Sequence, residues 1–255
     1  MAKKQPVAKR RQKRRARKKG MGVAVAFFCT VVTVAALMCA TTVFFRIENI
    51  RVTGDSPYTA EKIISATGLQ PGDSLIFFEK NGAVARLFDA CPYLDTVRIH
   101  RIYPDTLEIL VTESKPMAVV ESGGAGYIIS TKGKILEKIP QSGRSDLCHV
   151  TGTELKDPMI GENIEFSAKE TKKPFDLALN TFLENDILKE IGLVCLDELY
   201  DITFTYTDRF RVKVGTAEDL DRKLRYMHAL IERLSTTATG TIDVSDLQTA
   251  RFIPD

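Results

Sequence analysis

The pattern of apolar and polar positions divides the chain into one unbroken apolar run followed by short alternating segments. Residues 21–45 contain no charged residue and no proline. A helix rises about 1.5 Å per residue, so roughly 20 apolar residues cross a hydrocarbon core about 30 Å thick. The run therefore predicts a transmembrane helix. A cleaved signal peptide fits less well, because its apolar region spans about 7 to 15 residues and ends at a small-x-small site.

Charge is distributed unevenly around this run. Residues 1–20 carry 11 Lys or Arg and no acidic residue, which leaves 25 basic against 33 acidic residues, a net charge of −8, in the remainder. A basic run next to a span predicts a disordered cytoplasmic tail, with residues 46–255 outside the membrane. It also predicts contact with anionic lipid. Nucleic-acid binding by residues 3–19 is an alternative, less favoured because no aromatic residue is interleaved.

The first outer segment has the pattern β-α-α-β-β. Turn and cap signals separate its elements: Thr59 is a candidate N-cap and Gly68 a candidate C-cap of the first helix. A second helix is predicted over residues 80–89. The pattern predicts one short sheet covered by two helices. The apolar positions of its three strands are Ile47, Ile50 and Val52 in the first, Val97 and Ile99 in the second, and Leu107, Ile109 and Val111 in the third.

The second outer segment alternates short strands with two amphipathic helices. Pro174–Glu190 has the apolar spacing of a helix, and residues 201–206 and 210–215 alternate as the two arms of a hairpin. Three earlier strands are predicted around Val119-Val120, Tyr127–Ile129 and Ile135-Leu136.

A last helix and two strands complete this segment. Thr216 and Asp219 have the spacing of a capping box for the helix. Its apolar stripe predicts core packing rather than partner binding, and it consists of Leu220, Leu224, Met227, Ile231 and Leu234. Residues 240–245 and 250–254 then predict two strands, the last one at a sheet edge.

Candidate chemistry is sparse along the whole chain. The three histidines, His100, His149 and His228, are separated in sequence, and no nucleophile–base, metal-binding or phosphate-binding motif is present. The pattern predicts no catalytic residue, no cofactor and no metal site. Among the cysteines, Cys29 and Cys39 lie in the predicted span, and the remaining three are predicted to be small buried hydrophobes: Cys91, Cys148 and Cys195.

Several short motifs occur together and in a fixed order. In the first outer segment these are Val52-Thr53-Gly54, Pro92-Tyr93-Leu94, Arg101–Leu107 and Glu113–Pro116. In this region the chain resembles the POTRA domain of the FtsQ/DivIB family. The second segment is also similar to that family, through YTDRFRVKVG at residues 206–215, Arg222-Lys223-Leu224, TIDVSD at residues 241–246 and a terminal Phe-x-Pro. Ser130 departs mildly from the family, which commonly has Asp near this position.

The resemblance implies an α+β fold: a single transmembrane helix, then a β-α-α-β-β POTRA-like domain over residues 46–116, then a mixed antiparallel β domain with amphipathic helices over residues 117–255. It also implies a non-enzymatic, single-pass type II scaffold of the bacterial cell-division machinery, concentrated at the division septum. Its implied partners are the membrane proteins FtsB/DivIC and FtsL, through which it would recruit and regulate septal peptidoglycan synthesis.

The expected partner-binding site is the terminal sheet edge. An edge strand accepts an added strand from a partner, whose backbone completes the hydrogen-bond ladder. The residues assigned to this role are Thr249, Ala250, Arg251, Phe252 and Ile253. Two other classes stay open at this point, a membrane-anchored envelope hydrolase and a transport-type POTRA protein. The second requires an outer-membrane barrel, and the ~140 residues that follow, with two amphipathic helices, do not resemble one.

Overall fold

The computed structural model describes residues 26–39, 44–141, 143–246 and 249–255. A helix, α1, occupies residues 26–39. The rest of the predicted span, residues 21–25 and 40–43, lies outside the described residues. In the part of the chain that is described, no helix is both long and apolar enough to cross a membrane, so the transmembrane helix stays a prediction.

The chain divides into two compact units. The described residues of the first fall within Met1–Thr53, Ala60–Val84 and Arg98–Leu110, and the second comprises Gly54–Thr59, Ala85–Val97 and Val111–Asp255. The predicted domain limits at residues 46, 116 and 117 stay predictions.

The elements that follow α1 confirm the order β-α-α-β-β. They are β1 (Asn49–Gly54), α2 (Ala60–Thr67), α3 (Lys80–Ala90), β2 (Leu94–Ile102) and β3 (Thr106–Glu113). The three strands form one sheet in the order β1-β3-β2. Gly68 follows α2 with φ +70°, the left-handed conformation that commonly ends a helix. In the first unit, alternating strand residues such as Leu107 and Ile109 are fully buried.

The remaining strands form a nine-stranded sheet in the order β12-β11-β10-β9-β8-β7-β4-β5-β6. Their bounds are β4 (Pro116–Ser122), β5 (Ala125–Ser130), β6 (Ile135–Pro140), β7 (Cys148–Thr151), β8 (Ile191–Cys195), β9 (Ile202–Tyr206), β10 (Phe210–Gly215), β11 (Gly240–Asp243) and β12 (Arg251–Pro254). Three neighbouring pairs are parallel, β4–β7, β7–β8 and β10–β11, and the other pairs are antiparallel. The sheet is therefore mixed.

Two helices, α4 (Lys172–Glu184) and α5 (Leu220–Ile231), share one hydrophobic core with this sheet. The rings of Phe182 on α4 and Phe204 on β9 lie 5.0 Å apart in an edge-on arrangement. On α5, the first three members of the predicted stripe are buried, and Ile231 and Leu234 pack against the same core. The prediction that this stripe serves core packing is confirmed.

The predicted hairpin is also confirmed, since β9 and β10 pair antiparallel. Thr207 and Asp208, in the turn between them, both have positive φ, at 52° and 55°. Two consecutive left-handed residues match the right-handed twist of paired strands, so this turn sets β10 firmly beside β9.

The prediction that one helix runs to Glu190 is wrong. The helix α4 ends at Glu184, and Asp186 takes φ 57°. The N–H of Ile187 then donates to the carbonyl of Phe182, and that of Asp186 to Leu183. This pair of bonds is a Schellman motif, which stops a helix by satisfying its last carbonyls. A 3-10 turn at Leu188–Glu190 follows, and then β8, which the sequence pattern did not predict.

The predicted capping box of the last helix is wrong as well. Asp219 precedes α5 with φ 53°, and its side chain makes no capping hydrogen bond. Thr216 contacts a lysine instead of capping the helix. Its carbonyl accepts a hydrogen bond from Nζ of Lys223 at 2.8 Å, and its hydroxyl lies 3.5 Å from the same atom. The helix begins only at Leu220, and the long lysine side chain reaches back over the turn to the carbonyl and the hydroxyl of Thr216.

The second unit carries a smaller hydrophobic cluster, formed by Val119, Ile128 and Leu136 with Tyr93 packed against it. The Tyr93 hydroxyl donates to Oε2 of Glu137 at 2.8 Å. Burial, followed by this hydrogen bond, raises the pKa of Tyr93 to about 12. The contact joins the residue that precedes β2 to β6.

Candidate functional site: the terminal sheet edge

The predicted binding segment lies at one end of the nine-stranded sheet, where β12 is the edge strand. Its register with β11 pairs Ile242 with Phe252 and Thr241 with Ile253. The strand begins at Arg251, so two of the five predicted residues precede it. One of these, Thr249, donates from its hydroxyl to Oδ2 of Asp246 at 3.2 Å.

The direction of the backbone groups in β12 follows from the hydrogen bonds around it. The N–H of Asp255 donates to the carbonyl of Thr239, and the N–H of Gly240 points the other way, to Arg209. Because antiparallel pairs alternate between bonded and non-bonded residues, the same alternation directs the backbone of Ile253 toward β11. The N–H and C=O of Phe252 therefore point away from β11, at the edge of the sheet, and Pro254 offers only its carbonyl there.

The side chains of β12 divide between two faces of the sheet. Phe252 is half-buried against the main core, and its ring lies 6.2 Å from that of Phe210 in an edge-on arrangement. Ala250 packs against the same core. The next residue along, Ile253, is 57% exposed. One aromatic side chain thus anchors the strand, while an exposed apolar one lies on the opposite face.

Gly240 allows β12 to approach β11 closely. A Cβ atom at this position would lie 2.3 Å from the carbonyl oxygen of Ile253 and 2.9 Å from Cα of Pro254. Both neighbours are backbone atoms of the edge strand and cannot rotate away. Glycine at the start of β11 is consequently a steric requirement for the observed edge.

Arg209 fixes the segment that leads into β11. From the turn of the β9–β10 hairpin, its Nε and Nη2 donate to the carbonyl of Ala238 at 3.2 and 2.9 Å, and Nη2 also donates to the carbonyl of Ser235 at 3.1 Å. The guanidinium carbon lies 4.8 Å from the centre of the Phe210 ring. Because β11 begins two residues after Ala238, this clamp positions β11 beside β10, and β12 beside β11.

Lys223 holds the other end of β10. Only 3% of this residue is exposed, and its Nζ donates to the carbonyls of Val214 and Thr216, both at 2.8 Å. Burial lowers the pKa of the Lys223 ammonium, against the charges of Asp219 and Glu218 that raise it. These hydrogen bonds connect α5 to β10, the strand that pairs with β11.

The electrostatics of the edge centre on Asp243. Burial alone would raise the pKa of its carboxyl group, but hydrogen bonds from Ser245 and the charges of Lys213 and Arg251 outweigh burial and leave the pKa below its ordinary value. The N–H and Oγ of Ser245 donate to Oδ1 at 3.0 and 2.6 Å. Lys213 and Arg251 are the residues beside Asp243 on the two neighbouring strands. Asp243 thus stays ionised and holds the chain where it leaves β11.

The other candidate groups of the sequence lie elsewhere. His149 is within 2.9 Å of Glu121, through its Nδ1, a pairing between β7 and β4 that no local sequence signal indicates. His228 lies 3.4 Å from the hydroxyl of Tyr206, and His100 is exposed. Among the described residues, no cluster of His, Cys, Asp and Glu is placed to hold a metal ion.

The cysteine prediction holds for two of three residues. Cys91 and Cys148 are buried, and burial raises the pKa of the Cys148 thiol to about 12. Cys195 is only half-buried, and its Sγ donates to Oδ2 of Asp197 at 2.7 Å. The prediction of a buried hydrophobe at Cys195 is wrong because its side chain lies on the less covered face of β8, where a carboxylate is in reach.

Comparison with known proteins adds independent information on this chain. Residues 45–114 match the family model described as POTRA domain, FtsQ-type. Among curated proteins, the chain is similar to the cell division protein DivIB of Clostridium botulinum (strain Hall), with 24% identity over 235 residues that cover 87% of this chain and 86% of the relative.

Two further relatives carry the other name of the same group. The cell division protein FtsQ of Syntrophotalea carbinolica is 25% identical over 240 residues, covering 92% of this chain and 79% of the relative. FtsQ of Geobacter sp. (strain M21) is 30% identical over 165 residues, covering 64% of this chain and 56% of the relative. The similarity therefore extends over both outer segments.

Proposed function

The chain belongs to the FtsQ/DivIB family, and from this premise we propose that it is a non-enzymatic scaffold of the bacterial cell-division machinery. Its relatives are named as cell division proteins. A scaffold needs stable surfaces that bind partners rather than a reacting group. The observation that carries the proposal is the edge strand β12, whose backbone groups at Phe252 point away from the sheet.

We further propose that the protein is anchored in the cell membrane as a single-pass protein and is enriched at the division septum. Support for the anchor comes from the 25 uncharged residues at positions 21–45 and the 11 basic residues before them. The basic flank favours a cytoplasmic N-terminus, which leaves both outer segments outside the membrane.

The proposed partners are membrane proteins of the FtsB/DivIC and FtsL type, which would link this chain to septal peptidoglycan synthesis. We propose that one of them adds a strand beside β12. If the added strand runs antiparallel to β12, Phe252 would exchange two backbone hydrogen bonds with the residue opposite it, N–H to O in both directions. Ile253 and the Asp243–Arg251 pair would then contact its side chains.

The test compares two substitutions at one position, Phe252→Pro and Phe252→Leu, in the full chain. Both remove the aromatic ring, but only proline removes the outward N–H, and proline is tolerated on an edge strand when its nitrogen faces outward. We expect Phe252→Pro to bind an FtsB/DivIC-type partner more weakly than Phe252→Leu by about 1–3 kcal/mol, since a partner carbonyl loses its donor. This corresponds to a Kd about 5- to 150-fold higher.

The measurement is partner capture by the full chain in detergent, at several partner concentrations. Equal Kd values for the two variants would show that the Phe252 N–H makes no bond to the partner. Imaging of a fluorescent fusion in dividing cells tests the wider role independently. Signal spread evenly over the envelope, in place of a ring at midcell, would contradict the assignment to the division machinery.

A further inference from the structure

Large apolar side chains are exposed on the first unit, at the end of the apolar run and on segments that contact it. Phe44 is 75% exposed, Phe77 65%, Tyr103 60% and Ile102 45%. Single exposed apolar residues are ordinary on a protein surface, but clusters of them mark contacts with a protein or a membrane. These four residues are here called the aromatic patch.

Contacts of neighbouring residues connect the segments that carry the aromatic patch. The ring of Phe45, next to Phe44, lies 5.5 Å from the ring of Tyr103, edge-on. The carbonyl of Phe45 accepts a hydrogen bond from the N–H of Leu75 at 2.9 Å. The N–H of Phe77 donates to Oγ of Ser74 at 3.2 Å. The last residue of the apolar run is thus in contact with the segments that carry Tyr103 and Phe77.

Arg101 joins these two segments and adds a positive charge to the patch. Its Nη2 donates to the carbonyl of Ile76 at 3.2 Å, and its guanidinium carbon lies 4.8 Å from the centre of the Phe78 ring. Arginine on an aromatic face, beside exposed aromatic rings, combines an apolar body with a cationic head. Membrane interfaces favour this combination, because the rings lie at headgroup level while the charge stays near water and phosphate.

We propose that the aromatic patch lies in the headgroup region of the phospholipid bilayer that the chain itself crosses. This rests on the proposed membrane anchor. The apolar run and the patch are continuous, because Phe45 ends the run and also packs on Tyr103, so no linker separates the span from the patch. Aromatic residues are enriched at this level of the membrane. The rings would enter the boundary between headgroups and acyl chains to a depth of about 5–10 Å.

The contact has a consequence for the first unit. A single helix leaves the unit that follows it free to tilt relative to the bilayer. A second attachment through the patch holds one side of the unit against the lipid and restricts that tilt.

The test uses tryptophan as a local probe, because the chain contains none. Three single-tryptophan variants of the full chain, Phe77→Trp, Tyr200→Trp and Val32→Trp, are reconstituted in phosphatidylcholine vesicles. Tyr200 is 84% exposed in the second unit and is the control for a site in water. Val32 lies near the middle of the predicted span and is the control for insertion. Emission is recorded with iodide in the water and with nitroxide lipids labelled at a shallow or a deep acyl position.

We expect F77W to emit at shorter wavelength than Y200W, to lose most iodide quenching and to be quenched by the shallow nitroxide. Iodide quenching of F77W equal to that of Y200W, or equal lipid quenching of both, would overturn the proposal. Deep quenching of V32W shows that the span is inserted, so a water-exposed F77W beside a quenched V32W refutes the patch alone. An unquenched V32W refutes the anchor, and the patch proposal with it.

Discussion

Removing the Arg209 clamp should loosen the terminal edge without changing any residue of the edge itself. In the Arg209→Ala variant, the carbonyls of Ser235 and Ala238 lose three N–H donors, and the contact with the Phe210 ring is lost. Hydrogen bonds from a charged donor contribute about 1.5–3 kcal/mol each when buried. Arg209 is half-buried and two of the bonds share one acceptor, so we expect a total effect of about 2 kcal/mol.

Amide hydrogen exchange, read by mass spectrometry on the full chain in detergent, measures this effect locally. A loss of about 2 kcal/mol in local stability accelerates exchange about thirtyfold where opening limits exchange. The acceleration should be confined to β11 and β12. Arg209→Lys keeps the charge but lacks the fork of donors, and it should give a smaller acceleration.

Arg211→Ala is the matched control, since Arg211 is an exposed arginine two residues further along, on β10. Its exchange pattern should equal that of the unsubstituted chain. If Arg209→Ala and Arg211→Ala behave alike, the clamp does not hold β11, and the reasoning that links the hairpin to the edge fails. Acceleration spread evenly over the whole sheet would refute it too, because it would indicate global rather than local destabilisation.

Three further outcomes follow from the same contacts. Gly240→Ala should push the edge strand off β11 and cost about 1–3 kcal/mol, seen as faster exchange in β12 and weaker partner capture; unchanged exchange there would contradict the close approach. Lys223→Met should leave two carbonyls without a donor and lower the melting temperature by about 4–8 °C for about 2 kcal/mol, whereas Arg225→Met on the exposed face of the same helix should not. The pKa of Tyr93 is raised from 10.0 to about 12, so the stability that this group contributes is complete below pH 10 and is lost as pH rises from 10 to 12. Over that interval the urea midpoint of Tyr93→Phe should fall less than that of the unsubstituted chain. Parallel plots of midpoint against pH for the two proteins would exclude the assignment.

Local patterns predicted the elements whose causes are local. The α5 stripe and the β9–β10 hairpin follow from residue spacing and turn chemistry, and both are confirmed. The end of α4 was missed because a left-handed Asp186 is unusual, and the sequence has no glycine there to indicate a stop. The capping box was wrong for a different reason, since α5 begins at Leu220, after a left-handed Asp219, and Thr216 lies too far before that start to cap it.

Longer-range features could not be read from the sequence. The strand β8 is short and follows a helix directly, and its partner β7 lies about 40 residues earlier, so no nearby alternation indicates the parallel pair. Likewise, the sequence predicted an edge over residues 249–253, but not which backbone groups face outward. That direction depends on the register with β11 and on the bond from Asp255 to Thr239.

The position of β7 in the sheet has a mechanical consequence. Its register pairs three residues with β4 on one side, from Ala118↔Cys148 to Val120↔Val150, and three with β8 on the other, from His149↔Leu193 to Thr151↔Cys195. Every strand from β8 to β12 is connected to β4, β5 and β6 through this short strand. Within the hydrogen-bond ladders of the sheet, a pull exerted by the proposed partner on the terminal edge therefore reaches β4, β5 and β6 through this four-residue strand, and the hydrophobic core that the sheet shares with α4 and α5 carries the rest of the load.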